Sequence, residues 1–119
     1  SHGAPLLHGI EVYRGKPLFF GLGSLVFHSR TQLGHYPPVV WQSAIAHVEF
    51  DGGRLSGVKL VPVELNESGD DPQRPLETRG RPRLATGQAS QDILQRLADL
   101  SKPLGTEMSL KQGYGDLLI

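Results

Sequence analysis

Histidine is the side chain here suited both to metal ligation and to proton transfer near neutral pH, and the chain carries five: His2, His8, His28, His35 and His47. None stands four residues from another, the spacing that puts two imidazoles on one helical face for zinc. The neighbours of each one therefore decide its chemistry. His2 precedes Gly3, and a strand pattern begins a few residues on. A histidine on the loop leading into a strand, with glycine permitting close backbone approach, can present its imidazole to a metal. His8 stands at the start of that strand, so it reads either as a second group facing the same pocket or as a hairpin-end residue in water. His47 lies within a regular alternating pattern and reads as a sheet-surface residue. Arg30, His35 and Tyr36 share one loop, from which Arg30 could grip a phosphate or carboxylate with two parallel hydrogen bonds; the same three residues also fit an ordinary polar surface loop. His2 is thus the candidate metal ligand, and His8, Arg30 and His35 are the candidate substrate-binding residues. No catalytic residue is assigned, and Glu11 reads as part of the strand alternation.

These residues need elements to position them. His8 to Arg14 alternates in polarity, Gly15-Lys16 interrupts, and Pro17 to Phe20 resumes, which predicts a β-hairpin. Gly21 and Gly23 around Leu22 read as a tight bend beside a site or as a plain turn out of the strand. A long strand is expected over Val40 to Phe50, with Ala44, Ala46, Val48 and Phe50 on one face and Ser43, Ile45, His47 and Glu49 on the other. Asp51-Gly52-Gly53 turns the chain into a return strand from Leu55 to Leu65. There Gly57 suggests a bulge, and Pro62 an edge or bulge position. Residues 66–84 turn to Asp, Glu, Arg, Pro, Gly and Ser, the composition of a flexible solvated loop. Thr86 offers a helix N-cap, after which Ala89, Ile93, Leu94, Leu97, Ala98 and Leu100 form an apolar stripe that Pro103 and Gly105 end. Two short strands, Thr106 to Leu110 and Asp116 to Ile119, complete the expected layout.

Composition narrows the function. At 119 residues the chain has room for one modest core. Twelve basic and twelve acidic side chains balance, so no overall field draws the chain to nucleic acid or to an anionic surface, and nucleic acid is excluded as a general partner. Fifteen glycines and nine prolines point to many turns around short strands. With no cysteine, disulfides, thiolate zinc sites and a cysteine nucleophile are excluded, and the redox compartment stays undetermined. The longest stretch without charge, Thr31 to Val48, contains Pro37-Pro38, two histidines and two glutamines, so no membrane span is expected. The start at Ser1-His2-Gly3 has no initiator Met or signal-type pattern and reads as a cut end.

The run Ser1-His2-Gly3-Ala4-Pro5-Leu6-Leu7-His8-Gly9-Ile10-Glu11, followed by Tyr13-Arg14-Gly15-Lys16-Pro17-Leu18-Phe19-Phe20-Gly21-Leu22-Gly23-Ser24-Leu25-Val26-Phe27, resembles the C-terminal signature of the CapA-like proteins. These form the poly-γ-glutamate capsule synthesis family within the calcineurin-like metallophosphatases. Its members commonly read G-H-x-P-H-V-x-Q-G-I-E and then Y-x-G-x-P-I-F-Y-S-L-G-N-F-x-F. The resemblance implies an α/β fold, a β-sandwich flanked by helices. This chain would be the C-terminal portion of that single domain, by itself an α+β fragment made of a β-meander and one C-terminal amphipathic helix.

It also implies a centre of divalent metals, Mn, Zn or Fe, in the full-length protein, sharing a hydroxide that attacks phosphorus, with most ligands contributed upstream. His2 matches the family's first histidine and would be a ligand, but Pro5 occupies the place of the second and has no side-chain donor. Ser1 replaces the usual glycine, His8 takes the position of a common Gln, and Ser24 that of an Asn. Two readings follow. Either a phosphoester hydrolase kept catalysis with other ligands, His8 or His35 substituting, or the fold survives as a non-catalytic binding or assembly module. In both, the chain alone binds no metal securely. Its expected partners are the missing upstream half of the domain and a phosphorylated or polyanionic substrate, and an apolar face built from Phe19, Leu22, Leu25 and Val26 awaits that half.

Overall fold

The computed structural model describes residues 6–119. The first two strands, β1 (Ile10–Tyr13) and β2 (Lys16–Phe19), pair antiparallel with Tyr13 opposite Lys16. The two residues between them, Arg14 and Gly15, both take positive φ, 50° and 73°. That is the backbone of the tight turn whose twist matches a β-hairpin. The hairpin forms a sheet of its own.

Pro37-Pro38 then changes the expected start of the long strand. Proline fixes φ and suits the first position of a helical turn, so Pro38–Trp41 forms a 3-10 turn and β3 begins only at Gln42, running to Asp51. β4 (Arg54–Glu64) returns antiparallel, with Ala44 opposite Pro62 and Asp51 opposite Arg54. The register slips between Glu49 and Phe50, where Glu49 faces Gly57 and Phe50 faces Leu55. The bulge expected near Gly57 is therefore real, and Ser56 is the extra residue.

A four-residue helix, α1 (Pro75–Thr78), and a short strand, β5 (Arg83–Leu84), precede the long helix α2 (Gly87–Ser101). β6 (Met108–Lys111) and β7 (Tyr114–Leu117) form the last hairpin. The second sheet has the order β3-β4-β7-β6, with β5 paired to the far end of β4. The fold is α+β, antiparallel throughout its sheets, with one long helix. No helix among the described residues is long and apolar enough to cross a membrane.

Pro62 sits in the middle of this sheet, fully buried, and not at an edge. Its carbonyl accepts from Ala85 N–H at 3.0 Å, so its nitrogen, on the same side of the strand, faces away from β3. On that side β7 pairs with Lys59 and Leu60, and β5 with Val63 and Glu64. The missing donor falls in the gap between the two partners, and no ladder bond is lost.

The apolar stripe of α2 covers one face of the sheet. Ile93 and Leu97 pack with Ala44, Val58, Leu60 and Leu117, joined by Leu7 and Ile10 from the hairpin side. Ser101, with no exposed surface, accepts Ile10 N–H at 3.0 Å through its hydroxyl and ties the helix to β1. A second cluster, Val40, Trp41, Val63 and Leu65, gathers Leu6, Phe27 and Tyr36 around it.

The charged segment 66–84 is exposed over most of its length, while Thr78, Arg79 and Gly80 are buried. Composition alone hides this. One arginine turns inward because three backbone carbonyls receive it, and the remaining charges stay in water.

The radius of gyration is 15.1 Å over extents of 50 × 28 × 25 Å, against about 13–14 Å for an evenly compact chain of this length. Ile45, on the face of β3 turned away from the α2 stripe, is exposed.

Candidate functional site

The segment expected to carry the chemistry is fixed to the rest of the fold at Leu7 and Leu22. Those two residues form an isolated antiparallel bridge. The Leu22 carbonyl accepts both Ala44 N–H at 3.1 Å and the Ser43 hydroxyl at 2.9 Å, which places the segment against β3. His8 is half-buried beside this bridge, and its N–H donates to the Gly21 carbonyl at 2.9 Å. Gly21 is required there, since a Cβ would lie 2.6 Å from the His8 ring. The expected bend at Gly21 to Gly23 is thus a close approach of backbone to imidazole.

His2 lies outside the described residues, as does Pro5. Arg30 is exposed. His35 is exposed as well, with its ring edge-on to Tyr36 at 4.7 Å and its N–H donating to Gln32 O at 3.1 Å. No hydrogen bond or ion pair joins His8, Arg30 and His35 to one another among the described residues. Glu11 is half-buried in β1, opposite Leu18. His47 faces the open side of the sheet, 3.2 Å from Glu49, in a cleft of about 220 Å³ with Lys59, Tyr114 and Asp116. Both members of that pair are well exposed, so it contributes little to stability.

Of the apolar face expected from Phe19, Leu22, Leu25 and Val26, two residues stand out in solvent, Leu25 at 64% and Val26 at 62% exposed. Phe19 and Leu22 instead pack against the main core.

What positions the loop around Arg30 and His35 is an aromatic stack with an arginine behind it. Tyr36 meets Phe27 edge-on at 5.4 Å, and Phe27 meets Trp41 edge-on at 5.0 Å. The Arg79 guanidinium lies 5.9 Å from the Trp41 ring centre. It donates from Nε to Glu67 O at 2.7 Å and from one terminal nitrogen to Ser29 O at 3.3 Å and to Thr31 O. Gly80 follows and bonds Phe27 N–H through its carbonyl at 3.1 Å. Sequence reasoning missed Arg79, because an arginine among balancing charges has no periodic signature. The Arg79-Gly80 pair, glycine after a cation in a polar loop, is the only hint it gave.

Chemically, the described residues hold no group of three or more His, Asp or Glu placed to bind a cation. No reaction step is assigned to residues 6–119.

No family model matches the chain. Two uncharacterized proteins of Sinorhizobium fredii, y4sH and y4uA, are each 28% identical to it over an alignment of 153 positions, which covers 97% of this chain and 32% of theirs. The chain spans about a third of the length of the curated relatives it matches.

Proposed function

We propose that this chain is the C-terminal portion of a CapA-like protein of the metallophosphatase type, inactive alone, whose complete form hydrolyses a phosphoester in capsule or poly-γ-glutamate synthesis. The run from Ser1 to Phe27 carries this reading. It is supported by the way the described part of that run is built, a hairpin with its own sheet, set on β3 through Leu22 O, with Leu25 and Val26 left to solvent. In this reading the rest of the protein holds the Mn, Zn or Fe ions, His2 adds one ligand, and His8, Arg30 and His35 are the side chains offered to a phosphorylated or polyanionic substrate. The upstream half of the domain is the partner that covers the exposed apolar side chains.

A second reading, a binding or assembly module without turnover, draws support from two observations. Pro5 stands where the family has a ligand, and no cation-binding group occurs among the described residues.

One experiment separates the two. The complete protein, loaded with Mn²⁺ or Zn²⁺, is assayed on bis-p-nitrophenyl phosphate, and its metal content is measured by mass spectrometry. The hydrolase reading expects bound metal, turnover lost on chelation, a fall of at least about tenfold in metal affinity for His2→Ala, and no turnover by the 119-residue chain. A complete protein with neither metal nor turnover rejects it and leaves the binding module.

A further inference from the structure

β3 is an edge strand of the larger sheet, and much of its outer edge is bare. Ala44 N–H donates to Leu22 O at 3.1 Å, on the side away from β4. Backbone groups alternate sides along an antiparallel strand, so the N–H and C=O of Ala46, Val48 and Phe50 point the same way as those of Ala44. Beyond Ala44 no described segment pairs with that edge. The stretch from Ala46 to Phe50 is therefore a row of open donors and acceptors, the template on which another strand adds. Edges are commonly blunted by proline, lysine or a bulge; Gln42–Asp51 has neither proline nor lysine, and the extra residue of its bulged pairing lies on β4.

The side chains along the edge say which strand fits. His47 and Glu49 share the face of Ile45, turned away from α2, and the side chain of each is 65% exposed. In the ladder with β4, His47 meets Lys59 and Glu49 meets Gly57. The histidine thus has a cation beside it and the carboxylate has no side chain. On the opposite face of the strand stand Val48, half-buried, and Phe50, 57% exposed.

A second copy of β3 supplies what both faces lack. Two copies related by a two-fold axis run antiparallel, and the residues with outward backbone groups must pair with one another. Centring the axis on His47 sets two histidines opposite each other, and centring it on Glu49 sets two carboxylates opposite each other. Centring it on Ala46 brings in Ala44, whose edge is already taken by Leu22. With the axis at Val48, His47 faces Glu49 of the second copy, Glu49 faces its His47, and Ala46 faces its Phe50. Opposite charges meet in this register, and its span ends short of both Leu22 and the Gly52-Gly53 turn.

We propose that the chain self-associates through the edge of β3, in the antiparallel register centred on Val48, so that two sheets of order β3-β4-β7-β6 join into one. Charge complementarity between His47 and Glu49 selects the partner, and Phe50 covers Ala46 across the axis. The shared strand is short, so the interface belongs to the weak, concentration-dependent class. It rests on the pairing of β3 and holds for either reading of function above.

The test follows the complete protein by sedimentation velocity at rising concentration, where a growing dimer fraction is expected. His47→Glu opposes two carboxylates at both contacts, and Glu49→Lys opposes a cation to His47 at both. Each is expected to weaken the dimer about three- to tenfold, and mixing the two variants is expected to restore it, since opposite charges then meet at both contacts. Both positions are exposed, so the core is left alone. Oxidised Val48→Cys is expected to yield a disulfide between the two copies, identified by mass spectrometry, whereas Ala46→Cys, about 14 Å from its twin in this register, yields none. A monomer at every concentration overturns the proposal, as does a dimer that both charge variants leave unchanged, or cross-linking at position 46 as ready as at 48. A monomer whose Ala46, Val48 and Phe50 amides are protected from hydrogen exchange overturns it too, and assigns the edge to another part of the complete protein.

Discussion

Removing the guanidinium of Arg79 tests whether one buried cation holds the loop that carries Arg30 and His35. Arg79 is 5% exposed, and its partners are the carbonyls of Glu67, Ser29 and Thr31 and the Trp41 ring. Hydrogen bonds from a charged group contribute about 1.5 kcal/mol or more each. The two shorter ones then give about 3 kcal/mol, and the long bond to Ser29 with the distant ring contact about 1 more. Against this, Arg79→Ala recovers up to about 2 kcal/mol of side-chain entropy. The net expectation for Arg79→Ala is a loss of about 2–3 kcal/mol. Arg79→Lys keeps the charge but lacks the planar fork, so it reaches fewer of the three carbonyls and should lose about 1–2 kcal/mol. Urea unfolding, followed by circular dichroism and by the emission of the single tryptophan, Trp41, reads both. At a slope near 1.5 kcal/mol per molar, the midpoint for Arg79→Ala falls by about 1–2 M. A shift below about 0.5 kcal/mol with unchanged Trp41 emission would refute the reasoning, because the three carbonyls would then be served equally well by water.

Gly80→Ala should be more damaging than its size suggests: its φ is 80°, and the new Cβ would lie 1.6 Å from Phe27 O. A left-handed residue costs about 1 kcal/mol, and the clash forces the backbone apart, so a loss of at least about 3 kcal/mol is expected in the same urea assay. Ser101→Ala leaves the buried Ile10 N–H without its acceptor, which should cost about 1–3 kcal/mol. Hydrogen exchange should show Ile10 among the amides whose protection falls most; a uniform change along the chain would speak against a local tie.

The hairpins, the long helix and the face assignment along β3 were legible because each is written in local order. Ala44, Ala46 and Val48 alternate with Ile45, His47 and Glu49, and the first three are the buried or half-buried set. The pattern fails at its two ends: Ser43, expected on the outer face, is 4% exposed because its hydroxyl donates to Leu22 O, and Phe50, expected on the inner face, is 57% exposed at the hairpin end, outside the core cluster. Pro62 misled for a different reason. Proline excludes a ladder bond on one side only, and whether that side is an edge or a gap between two partner strands depends on β5 and β7, elements distant in sequence. Arg79 was hidden because its acceptors are backbone carbonyls, which every residue has. The candidate site was legible only as a segment, since the place of His8 is set by Gly21 and Ser43, while Arg30 and His35 ride on a loop fixed from the far side by Arg79.

The geometry around His8 depends on residues late in the chain more than on the motif itself. The hairpin pairs with no strand of the larger sheet, so its orientation rests on the Leu7–Leu22 bridge, the bonds into Leu22 O, and the hydroxyl of Ser101 at the end of α2. A two-stranded hairpin is marginally stable alone, and packing on α2 supplies what its own ladder lacks. Any chemistry at the start of the hairpin therefore inherits its position from the helix. The run from Gly87 to Ser101 lies far from Phe27 in sequence, yet its Ile93 and Leu97 join the sheet residues of the cluster in which Leu7 and Ile10 are buried.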